Sequence, residues 1–399
     1  MGRLKDYIIE LETRGYGEVD GSICSDCVED DALKKWIGEH LCDNECRFCE
    51  NKSDRPIAAS FEDFVGIVLN GIRFDYNDPD DEGIMYVSRE GGYQAPTYDS
   101  WDIMAEYDIG SEAVEDELVN VFIDKMWVQR DFYYGTRGDH LAFGWESFKE
   151  FVKHRSRYFF LQETSENRSE ISPSEMLDTI ARLMSSRLGA YDLVVSIDEG
   201  AVFYRVRLDD NAHTTADQIG PPQVQFATQS NRMSPAGIPM FYGAYDVETA
   251  IAETFDPKMG TDKIMSIGTF ESLRQLRLLN LVDLPPVPSV FDEMRRGLIH
   301  SLRFLNGFAQ SIAASIDRDG YEHIEYVPTQ VVTEYFRRLF IATNGDTLDG
   351  IVYRSSREAG QRAIVLFCEN QNCIDANVET RDNSILRLKS VEHRACSEM

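Results

Sequence analysis

No stretch of this sequence approaches the roughly 18 apolar residues that a membrane-spanning helix needs, so a helical membrane protein is not expected. The opening segment, MGRLKDYIIELETRGYGEVD, lacks the apolar core of a secretory signal and is acidic. The Met-Gly start lacks Ser or Thr at position 6, which is Asp6, so myristoylation is not indicated. Positive charge is scarce: 40 Lys+Arg face 69 Asp+Glu, a formal net of −29. Such a surface repels phosphate, which argues against a nucleic-acid partner and against an anionic membrane. Its plain consequence is solubility, and its sharper one is a face that a basic partner recognises. Internal repeats and low-complexity tracts are missing too. The chain reads as cytoplasmic, so its eight cysteines are expected as thiols or metal ligands and not as a disulfide framework.

What is present is globular. A hydrophobic content of 43% with 11% aromatics supplies buried cores, and 399 residues suggest two or three domains. Five cysteines lie between Cys24 and Cys49, among them the knuckles Cys24-Ser-Asp-Cys27 and Cys46-Arg-Phe-Cys49. Each knuckle turns two thiolates to one point, and four complete a tetrahedral structural zinc site with no open position for catalysis. Free thiols are the alternative, and Cys42 is the alternative ligand to Cys46. Between the knuckles, Asp30-Asp31-Ala-Leu-Lys-Lys-Trp-Ile predicts a short helix with an acidic start.

Beyond Pro56 the pattern is helical and acidic. Phe61, Phe64, Val65, Val68 and Leu69 predict one helix, and Ala113, Leu118, Val121, Phe122 and Met126 a second. Phe148, Phe151 and Val152 predict a third, followed by a polar break over Glu163–Glu170. His140 and His154 stand alone there and carry no catalytic expectation. The next helix is fully signposted: Ser172 as N-cap, Pro173 at the first position and Glu175 closing a capping box. Its apolar stripe is Met176, Leu177, Ile180, Leu183, Met184 and Leu188, and Gly189 ends it. The period then changes. Val202–Arg207, Met240–Tyr242, Ile264–Phe270, Leu276–Val282 and Ala363–Phe367 predict strands, interrupted by a helix over Phe291–Ile316. Strands, one helix and strands again predict an α+β domain from about residue 196.

The residues that carry chemistry cluster in Asn231-Arg232-Met-Ser-Pro-Ala-Gly237-Ile-Pro239-Met-Phe-Tyr242-Gly-Ala-Tyr-Asp246-Val-Glu-Thr249-Ala-Ile-Ala-Glu253. Arg232 precedes a Pro/Gly turn, and its planar fork suits bidentate binding of phosphate. The turn feeds a strand that presents Tyr242. Asp246 then caps a short helix along which Thr249, Ala250 and Glu253 lie near one face. An Arg, a Tyr and a Glu are thus expected to converge from consecutive elements.

This stretch resembles the RES domain, whose pattern runs Arg, Pro/Gly turn, Leu-Tyr, acidic-x-x-Thr-Ala-x-x-Glu. Tyr204-Arg205-Val-Arg207 resembles the family's first strand. Tyr326-Val-Pro-Thr-Gln330 resembles a further segment, and Asp349-Gly-Ile-Val-Tyr-Arg-Ser355-Ser-Arg357 the late Gly-Ile-x-Tyr-x-Ser-x-Arg signature. Upstream, Cys-x-x-Cys, Asp-Ala-Leu and Cys-x-Phe-Cys are similar to an amino-terminal HEPN/RES module. The resemblance implies a mixed β domain of ADP-ribosyltransferase-like fold over 196–399, preceded by a helical HEPN-like domain over 57–195 and a zinc-binding module over 1–56. It implies an NAD-degrading enzyme that breaks the nicotinamide–ribose bond, as a glycohydrolase or a phosphorylase. Such a protein acts as a toxin or antiviral defence effector in toxin–antitoxin fashion, with NAD as substrate. An antitoxin or regulatory protein and a second copy of the chain are the partners implied. The family's functional residues fall on Arg232, Tyr242, Glu253 and Ser355, with Arg205 as a second phosphate ligand. Ser356 is adjacent to Ser355, and Arg354 stands where the family has Pro.

Three other readings belong to different classes. One is an ADP-ribosyltransferase acting on a protein target. Another is an inactive RES binding module, against which all four candidate residues speak. The third, a HEPN-type ribonuclease, rests on Arg-x4-His, found here at Arg295…His300 and Arg318…His323. Both fall in the RES region, and the net charge opposes an RNA-binding surface.

Overall fold

A computed structural model of the chain describes residues 11, 13–123, 126–160, 171–185, 192–255, 262–314, 320–342, 345, 347–358 and 360–396. The architecture is α+β. Two compact units make it up: residues 1–139 with 286–300, and residues 140–285 with 301–399. Residue 56 falls inside the first and residue 195 inside the second. Among the described residues no helix is long and apolar enough to cross a membrane.

In the first unit, Ser22–Cys24 and Ala58–Ser60 pair antiparallel. The helix Asp31–Glu39 begins where the sequence expects, because the Asp30 side chain accepts the amides of Ala32 and Leu33 at 2.8 and 2.9 Å. Ser60 caps the helix Phe61–Asp75 in the same way, through the Asp63 amide at 3.3 Å. Its Phe61, Phe64, Val65, Val68, Leu69 and Ile72 are buried, as the helical spacing predicts. The next expected helix is shorter than its apolar pattern suggests. Glu112–Val121 is helical, but Met126 opens a strand, Met126–Gln129, held between Tyr76–Asn77 and Tyr98–Asp99. Burial of Trp127, whose indole donates to Ser100 at 3.1 Å, overrides the helical spacing there.

In the second unit, Arg137–His154 and Pro173–Ser185 are helices, and the capping box forms: Ser172 N donates to Glu175 at 2.9 Å, and Glu175 N donates to Ser172 Oγ at 3.3 Å. Met176, Leu177, Ile180, Leu183 and Met184 are buried. Leu188, Gly189 and the polar break from residue 163 to 170 lie outside the described residues. The expected helix over Phe291–Ile316 starts only at Ile299 and is recorded to Ala313. Upstream, Ser289 and Asp292 take the amides of Phe291 and Arg295 into turns. Phe291 is buried in the first unit's core against Gly71, where a Cβ would meet its ring at 2.2 Å.

The frame of the second unit is one nine-stranded sheet. Its spatial order is Cys373–Asp375, Leu386–Ala395, Ile264–Ser272, Val202–Asp209, Phe241–Ala244, Arg362–Leu366, Gly350–Arg354, Leu276–Asn280 and Val194–Ile197. Two neighbouring pairs are parallel, Leu276–Asn280 with Gly350–Arg354 and Cys373–Asp375 with Leu386–Ala395; the rest are antiparallel. Alternation divides the sheet into two faces. Phe203, Phe241, Phe270, Ile364, Leu366 and Leu388 form the core of one. On the other, Val206, Ala244, Met265 and Ile267 pack against Ala250 and Ile251 of the helix Val247–Thr254.

Candidate active site and metal centre

The site is built on the face that carries the Val247–Thr254 helix. Asp246 starts that helix by accepting the Thr249 amide at 2.7 Å and the Thr249 hydroxyl at 2.8 Å. Glu253 lies near its end and points to the loop that follows Gly350–Arg354. Its Oε1 accepts the Ser355 hydroxyl at 2.5 Å and the Ser356 amide at 3.1 Å. Its Oε2 has no hydrogen-bond partner among the described residues. Ser355 is almost fully enclosed, and its Oγ also accepts the amides of Arg357 at 3.2 Å and Glu358 at 3.0 Å. Its one hydroxyl hydrogen is therefore committed to Glu253.

Arg232 reaches the same loop. Its Nη2 lies 3.4 Å from Ser356 Oγ and its Nη1 donates to the Ala313 carbonyl at 3.0 Å. Its Nε is buried with no partner among the described residues, a donor aimed at nothing the protein supplies. The segment around Arg232 is itself held from the helix Val327–Arg338. Thr329 donates to the Arg232 carbonyl, and Gln330 donates to the carbonyls of Asn231 at 2.8 Å and Ser234 at 3.3 Å. Thr329 and Gln330 were visible in the sequence only as part of a similar segment; their task emerges from the packing. Tyr242 comes from the strand after the turn, its hydroxyl 2.9 Å from Ser234 Oγ. Burial pushes the Tyr242 phenol up to about 12, although Ser234, the Met233 amide and the nearby arginines oppose the shift.

Three of the four expected residues thus meet around one serine pair: Arg232, Glu253 and Ser355. Tyr242 stands on the same sheet face. The fifth, Arg205, is placed differently. Alternation along Val202–Asp209 turns it to the opposite face, over the Phe241 ring at 5.4 Å. There its Nε donates to the Ile219 carbonyl at 2.8 Å and its Nη1 to the Tyr242 carbonyl at 2.6 Å. Burial pulls its pKa down to about 10. It touches the site through the backbone of Tyr242. Tyr353, named in the sequence only as part of the late signature and given no role there, lies two residues before Ser355 and on the Tyr242 face. Period-two alternation in Gly350–Arg354 was the available signal.

The four sulfurs of Cys24, Cys27, Cys46 and Cys49 lie within 4.8 Å of one another and can hold a metal ion. The recorded separations are 3.8 Å for Cys24–Cys27, 3.5 Å for Cys24–Cys49 and 3.7 Å for Cys27–Cys46. A tetrahedral Zn–S₄ site with bonds of about 2.3 Å has edges of about 3.8 Å, so the set fits. The Cys24 and Phe48 amides donate to Cys46 Sγ, each at 3.4 Å. At Cys46 burial is outweighed by such amides, and the thiol falls below its ordinary value; at Cys24 and Cys27 burial, with the neighbouring thiols, raises it. Cys42 is exposed and outside the group.

Neither Arg-x4-His pair builds a site. Arg295 is bound to Asp292 at 2.6 Å, and the His300 ring stacks on Phe74. Arg318 lies outside the described residues. His154 is exposed on its helix near Glu150.

An arginine, a glutamate and a serine pair are thus gathered on one face of a mixed α+β sheet. Residues 202–388 match the RES domain model, and residues 39–166 match HEPN/RES N-terminal domain 1. The chain is a RES-domain protein with a HEPN/RES amino-terminal domain. Neither the curated proteins nor the solved structures compared with it contain a match. The RES family is an NAD-related, toxin-like one.

Proposed function

We propose that the RES domain binds NAD on the Tyr242–Glu253 face and breaks its nicotinamide–ribose bond. The observation that carries this reading is Glu253. One carboxylate oxygen is fixed by Ser355 and the Ser356 amide, and the other is left for a ligand. Breaking the bond builds positive charge on the ribose, as in glycoside hydrolysis. Nicotinamide departs with the bonding pair as a neutral molecule, so no general acid is required. What the reaction needs is a held pyrophosphate, an oriented ring and a fixed anion beside the cation. Arg232, with its unpartnered Nε, clamps the pyrophosphate. Tyr242 lines the nicotinamide pocket, and Glu253 faces the ribose. Ser355 orients Glu253, and Arg205 supports the Tyr242 strand from the far face in place of a second direct phosphate contact. Water then yields ADP-ribose with release of a proton, and inorganic phosphate yields the 1″-phosphate. Cys24, Cys27, Cys46 and Cys49 hold a structural zinc that closes the amino-terminal fold and leaves no open coordination position. In a cell the enzyme would deplete cytoplasmic NAD as a toxin or defence effector under the restraint of an antitoxin.

The test is incubation with NAD, with and without phosphate, with product identification. Free nicotinamide should appear together with ADP-ribose or its 1″-phosphate. NAD that stays intact would end this reading, and ADP-ribose attached to protein would replace it with a transferase. Arg232→Lys keeps a charge but loses the bidentate fork, so KM for NAD should rise roughly 10–100-fold while kcat changes far less. A thermal melt run alongside shows whether the lost bond to Ala313 loosens the fold.

A further inference from the structure

We propose that Tyr353 is a substrate-contacting residue of this site, its hydroxyl donating a hydrogen bond to the nicotinamide-riboside half of NAD. The inference rests on the reading of the site as an NAD-cleaving one. Tyr353 pairs with Ala363, and Ala363 with Ala244, so the three share a sheet face. Two residues along each strand, Tyr242, Val365 and Ile351 form the neighbouring row of that face. Tyr353 therefore stands between the Tyr242 row and the Ser355 loop that holds Glu253. The two alanines beside it are fully buried, and Ala244 packs against the Val247–Thr254 helix that carries Glu253.

Tyr353 is only 5% exposed. Tyr76, Tyr107, Tyr242 and Tyr335 each find a hydroxyl partner in Glu106, Asp75, Ser234 and Asp178. For Tyr353 no partner is recorded among the described residues. The hydroxyl oxygen is not among the enclosed side-chain atoms that lack a partner, so the small exposed part of the residue includes it and it stays open to a ligand. Glu253 and Arg232 are among the charged groups close enough to bias it. Burial, and then the Glu253 charge, raise its pKa, so the group stays protonated and acts as a donor. A neutral donor on the Glu253 side of Arg232 suits a carboxamide or ribose oxygen.

Tyr353→Phe separates this from a packing role, because it keeps the ring and removes only the hydroxyl. Without ligand, the melting midpoint should stay within about 2 °C of the parent, since the ring is kept and the hydroxyl has no protein partner to lose. KM for NAD should rise about 3–10-fold with kcat within about twofold, the signature of a bond made equally in ground and transition states. A variant that keeps the parental KM would overturn the inference and leave the NAD reading standing. If the parent protein neither cleaves NAD nor gains melting stability from it, both fall together.

Discussion

Glu253→Gln should lower NAD turnover by roughly 10²–10³ while leaving the melting midpoint within a degree or two. The substitution suits the geometry. The side-chain carbonyl of Gln can still accept the Ser355 hydroxyl and the Ser356 amide, which now bind Glu253 Oε1. Only the second oxygen changes, and with it the negative charge. A preorganised charge beside a developing cation is commonly worth about 3–4 kcal/mol in the transition state, which sets the expected loss. Because the charge matters most when the sugar is cationic, kcat and kcat/KM should fall together. The measurement is nicotinamide release at saturating and limiting NAD, beside a melt. Parental release rates from a normally melting variant would remove Glu253 from the chemistry. A general loss of folded protein would instead make its bonds to the 355–356 loop a matter of stability.

The purified protein should carry about one zinc per chain, and Cys27→Ser or Cys46→Ser should abolish binding and melt the first unit. Cys24, Cys27 and Cys46 are not on a separate appendage. They are buried in one core with Ile23, Leu33, Ile37, Phe61 and Phe64. The knuckle is stitched to the turn before Glu112–Val121, through Ser111 N to the Cys27 carbonyl at 3.2 Å and Glu29 N to the Ile109 carbonyl at 2.8 Å. Structural zinc contributes an apparent 10–16 kcal/mol in small sites, comparable to the about 5–15 kcal/mol that stabilises a whole domain. Chelation should therefore cost much of the helical signal of Asp31–Glu39, Phe61–Asp75 and Glu112–Val121. NAD turnover should suffer only indirectly. Metal analysis and far-ultraviolet circular dichroism check this directly. A metal-free protein with undiminished helicity would refute it.

Several features could be read along the chain because their causes are local. The capping box at Ser172 and Glu175, the Asp30 cap and the two Cys-x-x-Cys knuckles each depend on residues within a turn of one another. So does the alternation that marks Val202–Asp209. The α+β class follows from the order of such segments. Met126 and Phe291 show where local reading fails. Both are apolar residues at helical spacing, and both were claimed by a distant partner: a three-stranded sheet in one case and Gly71 in the other.

The candidate site divides along the same line. The residue types were available from the order of the chain: an arginine before a turn, a tyrosine on a strand, a glutamate on a capped helix, a serine after a strand. Their meeting was not. Glu253 reaches Ser355 across 102 positions, Arg232 reaches Ser356 across 124, and Thr329 reaches Arg232 across 97. Those encounters exist because Arg362–Leu366 lies between Phe241–Ala244 and Gly350–Arg354 in the sheet. The same pairing turns Tyr353 inward beside Tyr242 and sends Arg205 to the far face. A sequence records which side chains are offered at each step; the sheet order, set by burial of both faces at once, decides which of them share a surface.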